Sequence, residues 1–476
     1  MIPMWTGTGG KQGVAGSGSR TAEGGRSGEP RELRSHGTQR GSRIAAAGMS
    51  ALLMGLGGGP PSGTAASGVT AAADTGPARP ITEATATARP LPRGVPHPEF
   101  GLRELASECA DCRRVTEADV SALGDLSPGT VVEIGGGPFE ETRIEIGGPG
   151  TADRPIFVRG ADGPPTVVRG VVRIRGSYLI VENLDFDLGS ASTGLRVEGH
   201  HIALRNVTVR GFRPGRFSTA LLAVRSEDVV FTGLHVFDNG DFAIPGEHDV
   251  HGVGVAASRR IWLLNSTMHR NRGDGIQLGH RARNTIQEVY IAGNDIHSNG
   301  ENAVDIKEAS DVVISENRLH ATPSGHPAVV LHDCPVNAAV LFNEIYDASV
   351  GVSLASLQKA CREHRPVDLF ILRNRIQAIE GHAIQAWGSG KRYSITGNCF
   401  AEVGAVMKIS GRGQDWIVSE KDGSLKKALE RLRDIRGITL SPSDWQQAEC
   451  GVPSSDTDTA PSSRPDSSSH GGERRD

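Results

Sequence analysis

Residues 299–317 of this 476-residue chain combine two turns, two short apolar strands and several charged residues. The alternation of apolar and charged residues at 304–307 predicts a short strand whose successive side chains point to opposite faces. Asp305 and Lys307 then project outward together, about 7 Å apart along the strand. A lysine can accept a proton only when it is neutral, and acidic neighbours such as Asp305 and Glu308 raise its pKa. The simpler interpretation of Lys307 is a solvated ion pair.

Further polar side chains gather in the turns that precede neighbouring strands, at residues 247–251, 272–274 and 299–302. His248, Asp249 and His251 are candidate zinc ligands or acid/base groups, although histidines scattered over a turn-rich surface are common. Glu301 and Asp305 could serve as the carboxylate pair of a glycoside hydrolase, which are about 5 to 10 Å apart. That role requires the turn between them to bring both to one side.

The elements that must position these side chains recur along the chain. An asparagine followed two or three residues later by an apolar residue appears eight times, and a glycine fills one gap, with spacings of 23, 27, 32, 29, 23, 26, 31 and 24 residues. Strands of three to five residues without helical patterns between them predict a stacked solenoid of three-stranded parallel coils. Asparagine tolerates the left-handed conformation and can bond to the same amide in the next coil, so we interpret this set as structural. The nine positions are Asn183, Asn206, Gly233, Asn265, Asn294, Asn317, Asn343, Asn374 and Asn398.

Alignment of the coils by their apolar pairs predicts which side chains face the core. The inward pairs are Val253/Val255, Ile276/Leu278, Val304/Ile306, Val329/Leu331 and Ile384/Ala386. The outward pairs are Gly254/Ala256, Gln277/Gly279, Asp305/Lys307, Val330/His332 and Gln385/Trp387. Small residues beside a protruding lysine leave room for a chain to lie across the coils. Trp387 is either a stacking platform for a sugar or an aromatic ring that covers a coil edge.

The remaining sequence predicts the domain organisation. Residues 1–96 combine a Gly/Ser/Arg-rich segment, a signal-like stretch near residues 40–56 and an Ala/Thr/Pro-rich linker. Residues 97–182 form an N-terminal cap and the first coils, and residues 183–410 form the regular coils. Residues 411–451 contain an amphipathic helix that begins at Ser424 as its N-cap and serves as a C-terminal helical cap. Residues 452–476 are a polar, disordered tail.

Composition and cysteine spacing narrow the class of protein. With 62 Gly, 4% aromatic residues and a net charge of −4, the chain lacks the basic surplus of a nucleic-acid binder. No segment reaches the roughly 20 apolar residues of a transmembrane helix. We expect disulfides between Cys334 and Cys361 on adjacent coils, between Cys399 and Cys450, and within a Cys109/Cys112 pair. Three disulfides would indicate an oxidising compartment.

The chain resembles the right-handed parallel β-helix superfamily that contains pectate lyases and related polysaccharide lyases. The resemblance rests on residues 150–160, residues 176–183 and the coils from 183 to 398, and covers most of residues 98–410. It implies an all-β fold, a right-handed three-stranded parallel β-helix with an N-terminal cap. It does not single out one activity, because the scaffold also serves glycosidases, epimerases and adhesins.

Uronic-acid lyases of this superfamily often pair calcium-binding carboxylates with a lysine that removes the proton α to the uronate carboxylate. The resemblance therefore implies Lys307 as the base and Asp274, Glu301 and Asp305 as calcium ligands. His251 is the expected proton donor. The residues expected to contact the sugar chain are Gln277, His280, Arg283 and His332.

The leading hypothesis is a secreted, periplasmic or cell-surface monomer that cleaves an acidic, uronate-containing polysaccharide by β-elimination. The first alternative is a non-catalytic glycan-binding or adhesive module that uses the same outer face. The second alternative is a glycoside hydrolase. An arginine cluster between residues 259 and 283 either contacts an anionic sugar or belongs to a mixed, solvated face.

Overall fold

The computed structural model describes residues 90–106, 112–115, 120, 122–163, 165–243, 249–279, 286–355, 367–388, 390–410, 415–418, 423–441 and 444. Contacts divide the chain into two units, residues 1–77 and 78–476, and all described residues lie in the second. The predicted signal-like segment, most of the linker and the polar tail lie outside the described residues. So do Glu247, His248, His280 and Arg283.

The described chain consists of short strands that follow one another around a solenoid. The first nine are β1 (Arg113–Val115), β2 (Val131–Ile134), β3 (Phe139–Pro149), β4 (Ile156–Gly160), β5 (Thr166–Glu182), β6 (Leu184–Asp187), β7 (Leu195–Arg205), β8 (Thr208–Arg210) and β9 (Ser218–Thr232). The next ten are β10 (His235–Asn239), β11 (Val250–Ala256), β12 (Arg259–Leu264), β13 (Thr267–Asn271), β14 (Ile276–Leu278), β15 (Ile286–Ala292), β16 (Asp295–His297), β17 (Val304–Ile306), β18 (Ala309–Ser315) and β19 (Arg318–His320). The last are β20 (Pro327–Leu331), β21 (Val336–Leu341), β22 (Glu344–Ala355), β23 (Val367–Leu372), β24 (Arg375–Trp387), β25 (Ser394–Thr396), β26 (Cys399–Ser410) and β27 (Ile417–Val418), followed by α1 (Ser424–Leu432).

Each strand pairs in parallel with its equivalents in the coils before and after it, which builds three sheets. Sheet 1 contains β11, β14, β17 and β20, and continues into the second halves of β22, β24 and β26. Sheet 2 contains β12, β15, β18, β21, β23 and β25. Sheet 3 contains β8, β10, β13, β16 and β19. The predicted three-stranded parallel β-helix is therefore confirmed.

The core is made of apolar side chains stacked in register from coil to coil. On sheet 1 the first inward-facing row is fully buried and consists of Val253, Ile276, Val304, Val329, Val352 and Ile384. The predicted inward and outward alternation on this sheet is correct, because a strand with one buried face permits only one register. The sequence alignment omitted the coil that contributes Val352, whose outward residue is Ser353.

The turn asparagines divide into two rows with different roles. Asn183, Asn206 and Asn265 adopt the left-handed conformation, with φ of 56°, 51° and 48°. Gly293 follows them in that row, since a Cβ added to it would lie 2.5 Å from Oδ1 of Asn265. The predicted spacing of 29 residues between Asn265 and Asn294 therefore joins positions in two different rows.

The second row is a buried ladder of side-chain amides. In it, Asn294, Asn317, Asn343 and Asn374 each donate from Nδ2 to Oδ1 of the next asparagine, and the ladder ends at Asn398. The same oxygens accept backbone N–H groups of the preceding asparagines, as in the 3.0 Å bond from Asn317 to Asn343. These residues hold the coils together, as the sequence predicted.

The outer face of sheet 2 is covered by segments from both ends of the described chain. Val95 and Phe100 pack on its aromatic and aliphatic side chains, among them Trp262 and Tyr290. Nε1 of Trp262 donates to the Pro96 carbonyl at 2.9 Å. Packing on this sheet therefore begins upstream of residue 97. Residues 102–106 contain no helix.

The single helix of the described residues, α1, fits the predicted C-terminal helical cap. It buries Ala428 and Leu432 beside the last strands of sheet 2. Its N-cap is Gly423 in a left-handed conformation rather than Ser424, which is the first helical residue. None of the described helical residues forms a span long and apolar enough to cross a membrane.

The described cysteines are Cys112, Cys334 and Cys399, and none of them is a free thiol. The expected partners Cys109, Cys361 and Cys450 lie outside the described residues. The disulfide pairing and the oxidising compartment therefore remain predictions.

Candidate functional site

The candidate site lies on the outer face of sheet 1, where three consecutive coils enter their strands. Parallel pairing of β11, β14 and β17 places equivalent turn residues one above another. His251, Asp274 and Asn302 each lie two positions before the first inward-facing residue of their coil, so they form one vertical row. The row forms because the three turns end at equivalent positions before their paired strands.

Asp274 is the fully buried centre of this row. Its Oδ1 accepts hydrogen bonds from the backbone N–H of Asn302 at 3.1 Å and from Nδ2 of Asn302 at 2.8 Å. Its Oδ2 accepts a hydrogen bond from Nε2 of Gln277 at 3.1 Å. A buried carboxylate is stable only when its oxygens are satisfied, and these three donors meet that need.

His251 contacts Asp274 in two ways that compete for the same ring nitrogen. Its Nδ1 lies 3.0 Å from the backbone N–H of Asp274 and 3.1 Å from Oδ2 of the same residue. Nδ1 accepts the backbone hydrogen bond only when it carries no proton, and it donates to the carboxylate only when it does. Burial lowers the pKa of His251, but the hydrogen bond and charge of Asp274 outweigh burial, so the net pKa is raised.

Two further carboxyl groups surround this pair. Burial, followed by the negative charges of Asp274 and Asp249, raises the pKa of Glu301 to about 7. Burial also raises the pKa of Asp249, against the opposing charge of His251. Gly273 gives these groups room, since a Cβ added to it would lie 2.6 Å from Nδ1 of His251 and 3.0 Å from Cβ of Asp249.

A second polar group lies beside the first on the same sheet. Nζ of Lys307 is 3.0 Å from Oδ2 of Asp305, and Nε2 of His332 is 2.8 Å from Oδ1 of Asp305. The His332 contact is electrostatic, because these two atoms are close without the alignment of a hydrogen bond. Lys307 and His332 keep 24% and 21% of their side chains exposed, whereas Asp305 keeps 5%, so only the two basic groups are open to a ligand.

Charge in this second group favours the ionised forms. Burial lowers the pKa of Lys307, but the charge and hydrogen bond of Asp305, together with the charge of Asp274, raise it overall. Burial raises the pKa of Asp305, but His332 and Lys307 reverse that effect and lower it overall. Lys307 is therefore held as an ammonium, which opposes its predicted role as a base.

The structure gathers a different set of candidate metal ligands from the predicted one. His251, Asp274 and Glu301 each offer a ligand atom within 4.8 Å of the other two. Asp305 instead faces Lys307 and His332. Calcium takes about six to eight oxygen ligands, and both oxygens of Asp274 already accept hydrogen bonds. Calcium binding by Asp274, Glu301 and Asp305 stays a prediction.

The predicted site residues therefore form two adjacent groups. The first contains His251, Asp274, Gln277 and Glu301, and the second contains Asp305, Lys307 and His332. The sequence analysis named Asp249 only as a candidate zinc ligand or acid/base group, and it assigned no role to Asn302. Their position could have identified both residues, since they lie in turns that precede strands of sheet 1.

Three arginines of the predicted cluster between residues 259 and 283 are paired with acidic side chains. Arg259 and Arg260 on sheet 2 form ion pairs with Glu227, and Arg270 pairs with Asp238, so these arginines belong to mixed, charged surfaces.

The carboxylate pair proposed for a glycoside hydrolase is close enough for the charge of Asp305 to help raise the pKa of Glu301. Asp305 is nearly buried against Lys307 and His332. Glu301 also lies near the fully buried Asp274, and the hydrolase role of the pair stays a prediction.

Comparisons with known proteins agree with this fold. Residues 247–400 match the family model of a right handed beta helix region. The chain resembles the A-module of mannuronan C-5 epimerase AlgE4 of Azotobacter vinelandii, with a TM-score of 0.44 and 16% identity over 63% of this chain and 98% of that one. It resembles the PL6 family polysaccharide lyase Pedsa3628 of Pseudopedobacter saltans, with a TM-score of 0.42 and 14% identity over 62% of this chain and 77% of that one. These likenesses concern the fold alone.

One curated protein matches by sequence, the aliphatic sulfonates import ATP-binding protein SsuB of Frankia casuarinae. The identity is 26% over 226 residues, which is 46% of this chain and 62% of that protein. The chain thus spans less than two thirds of the length of this relative. The chain has a right-handed parallel β-helix fold, as the sequence resemblance predicted.

Proposed function

We propose that this protein is an exported, polysaccharide lyase-like enzyme that cleaves an acidic, uronate-containing glycan by β-elimination. The reaction needs a cation to neutralise the uronate carboxylate, a base to remove the α proton and an acid to protonate the leaving oxygen. The outer face of sheet 1 offers residues suited to each of these tasks.

The observation that carries the proposal is the adjacency of two groups of opposite character. Lys307 and His332 are basic and partly exposed, and lie against the nearly buried Asp305. Glu301 and His251 lie on neighbouring coils around the buried Asp274. The groups are close enough for the charge of Asp274 to raise the pKa of Lys307.

In this proposal the role of each residue follows from its protonation state. The Lys307 ammonium binds the substrate carboxylate, a change from its predicted role as base. Glu301, with its pKa raised to about 7, removes the α proton. The electron pair of that C–H bond forms the new double bond, and the glycosidic C–O bond breaks. His251, whose pKa is also raised, donates its proton to the leaving oxygen.

The surface beside Lys307 has room for a sugar chain. Gly254 and Gly279 face outward on the coils before it, and neither projects a side chain. A Cβ at Gly279 would lie 3.0 Å from the carbonyl oxygen of Lys307. Trp387 lies further along the same sheet with half of its surface exposed.

The test is ultraviolet absorbance of the purified full chain with a panel of polyuronates, in parallel with added calcium and with a chelator. We expect absorbance from an unsaturated uronate product on at least one polymer. Glu301→Gln and Lys307→Met should each lower the rate about 100-fold or more. Lys408→Met is the matched control, because Lys408 also faces outward on sheet 1 but four coils away from Asp305. A rate equal to wild type in Lys307→Met and Glu301→Gln would refute these assignments.

The calcium and chelator arms test the remaining cofactor prediction. The donor set around Asp274 gives no reason to expect calcium dependence, so activity should persist in chelator. Strict dependence on added calcium would mean that residues beyond the described set complete an ion site.

The competing candidate is a non-catalytic, glycan-binding surface module. Half-exposed Trp387 favours it, since an aromatic face on an outer sheet can stack on a sugar ring. This candidate predicts binding of polyuronates without any unsaturated product. It also predicts that Trp387→Ala weakens binding while Lys307→Met leaves it unchanged.

A further inference from the structure

A column of aromatic rings runs along the outer face of sheet 3, separate from the site on sheet 1. Strand pairing places Phe237, His269, His297, His320 and Tyr346 at equivalent positions on successive coils. The ring centroids of the three histidines are 5.1 and 4.8 Å apart, and their planes are within 12° of parallel. The column is thus a continuous stack with three imidazoles at its centre.

The residue types in this column are informative. Phe237 and Tyr346 stack on the first and last imidazoles at 5.3 and 4.5 Å. Stacking alone therefore requires only an aromatic ring. Three consecutive imidazoles add nitrogen donors to one line, which stacking does not need.

A carboxylate completes a ligand set at one point of the column. Asp295 lies two residues before His297 on β16, and its Oδ1 is 2.9 Å from Nε2 of His320. Asp295, His297 and His320 each offer a ligand atom within 4.8 Å of the other two, and all three are partly buried. Oδ2 of Asp295 is 3.3 Å from Nη1 of Arg318, which leaves Oδ1 directed at His320.

We propose that Asp295, His297 and His320 form a binding site for a divalent transition metal such as zinc. Two imidazoles and one carboxylate are ligands that zinc accepts, with a further position left for water. The ion takes the place of the proton between Nε2 of His320 and Asp295, which moves to Nδ1 when the ring is neutral and to solvent when the ring is charged.

The chemistry of the three side chains suits a divalent cation. Each imidazole offers a ring nitrogen whose lone pair can bind a metal. The negative charge of Asp295 offsets part of the charge of the ion.

The test is calorimetric titration of the tag-free, chelator-stripped full chain with zinc, together with the visible spectrum of the cobalt-loaded protein. His297→Phe is the decisive variant, since it keeps a ring in the stack and removes only the nitrogen ligands. We expect His297→Phe and Asp295→Asn each to weaken zinc binding about 10- to 100-fold or more. Zinc should also raise the melting temperature of wild type but not that of His297→Phe.

Two control variants identify the site. His200→Phe removes an exposed histidine that contacts His201 on sheet 2, so it reports on adventitious binding to neighbouring imidazoles. His251→Gln removes a ligand of the set on sheet 1. Both should bind zinc as wild type does. The proposal fails if wild type does not bind zinc, if binding survives in His297→Phe and Asp295→Asn, or if only His251→Gln abolishes it. Circular dichroism confirms that each variant is folded.

Discussion

At the scale of single residues, the geometry of the site on sheet 1 depends on the lack of a side chain at Gly273. Gly273 lies between His251 and Asp249, in the coil that also supplies Asp274. Its φ is not in the left-handed range, so the requirement for glycine is one of space. Any larger residue must displace the imidazole from the buried carboxylate that orients it.

Gly273→Ala should therefore impair the site more than the fold. The added Cβ would lie 2.6 Å from Nδ1 of His251, a distance that forces the ring to move. We expect a loss of roughly 10-fold or more in lyase rate, because small displacements of an acid/base group are costly. Gly135→Ala is the control, since its Cβ would contact only Ala161 at 3.3 Å. Equal rates in the two variants would contradict the proposed role of His251.

Glu301 predicts a pH dependence of stability. Its pKa is raised from 4.5 to about 7 in the folded chain, so between these values the folded state retains a proton that the unfolded state has released. The contribution of Glu301 to stability is thus complete below pH 4.5 and is lost as the pH rises to about 7.

The measurement is the melting temperature across this pH range for wild type and Glu301→Gln. We expect a shallower decline with rising pH in the variant, since glutamine does not titrate. Glu344→Gln on sheet 3 serves as the control. Parallel curves for wild type and Glu301→Gln would show that the pKa of Glu301 is not raised by folding.

At the scale of elements, the two rows of turn residues accept different residue types. The left-handed row accepts glycine, which already occupies positions 233, 293 and 397 with φ of 64°, 68° and 68°. The buried row needs both ends of the asparagine amide, because each side chain bonds to the coils before and after it. Similar sequence patterns therefore serve conformation in one row and hydrogen bonding in the other.

Asn317→Ala should be strongly destabilising. The substitution removes the bonds from Nδ2 to the Ile291 carbonyl and to Asn343, and it leaves the amides of Asn294 without their acceptor. We expect a loss of about 3 kcal/mol in the free energy of unfolding, since each unsatisfied buried group costs about 1–3 kcal/mol. Asn206→Gly, in the left-handed row, should change it by less than about 0.5 kcal/mol. Chemical denaturation of both variants distinguishes the rows, and similar losses would contradict the division.

At the scale of the whole molecule, the outer faces of the three sheets carry different groups of residues. Sheet 1 carries the polar groups of the candidate site, and sheet 3 carries the ring column. Sheet 2 has an apolar outer face that residues 90–106 and α1 cover. Val95, Phe100 and Leu432 are nearly buried in this second cluster. The two ends of the described chain thus help to stabilise the middle.

Removal of the N-terminal cover should expose this apolar face. A chain that starts at residue 107 should melt at least about 5 °C lower than one that starts at residue 90, because several apolar side chains lose burial worth about 1.5–3 kcal/mol each. It should also bind more of a hydrophobic fluorescent dye. Identical melting curves would show that the cover contributes nothing to stability.

The sequence by itself determined the β-helix and much of its register. Short strands with one buried face fix the inward residues, such as Val304 and Ile306, because a shift of one residue would place the charges of Asp305 and Lys307 in the core. The recurring asparagines gave the coil length, but their two rows could not be separated. Adjacent positions in a turn differ in conformation and burial, and neither property is visible in the spacing.

Only the tertiary structure decided which polar side chains meet. Asp305 and Lys307 were correctly placed on one outward face, yet the structure buries Asp305 between Lys307 and His332 and brings Glu301 to Asp274 and His251 instead. Those contacts depend on side-chain directions across coils whose contacting residues are 23 to 28 positions apart in sequence. The cover on sheet 2 and the ring column on sheet 3 arise in the same way. Each requires residues from several coils to stack, and local sequence patterns do not encode stacking.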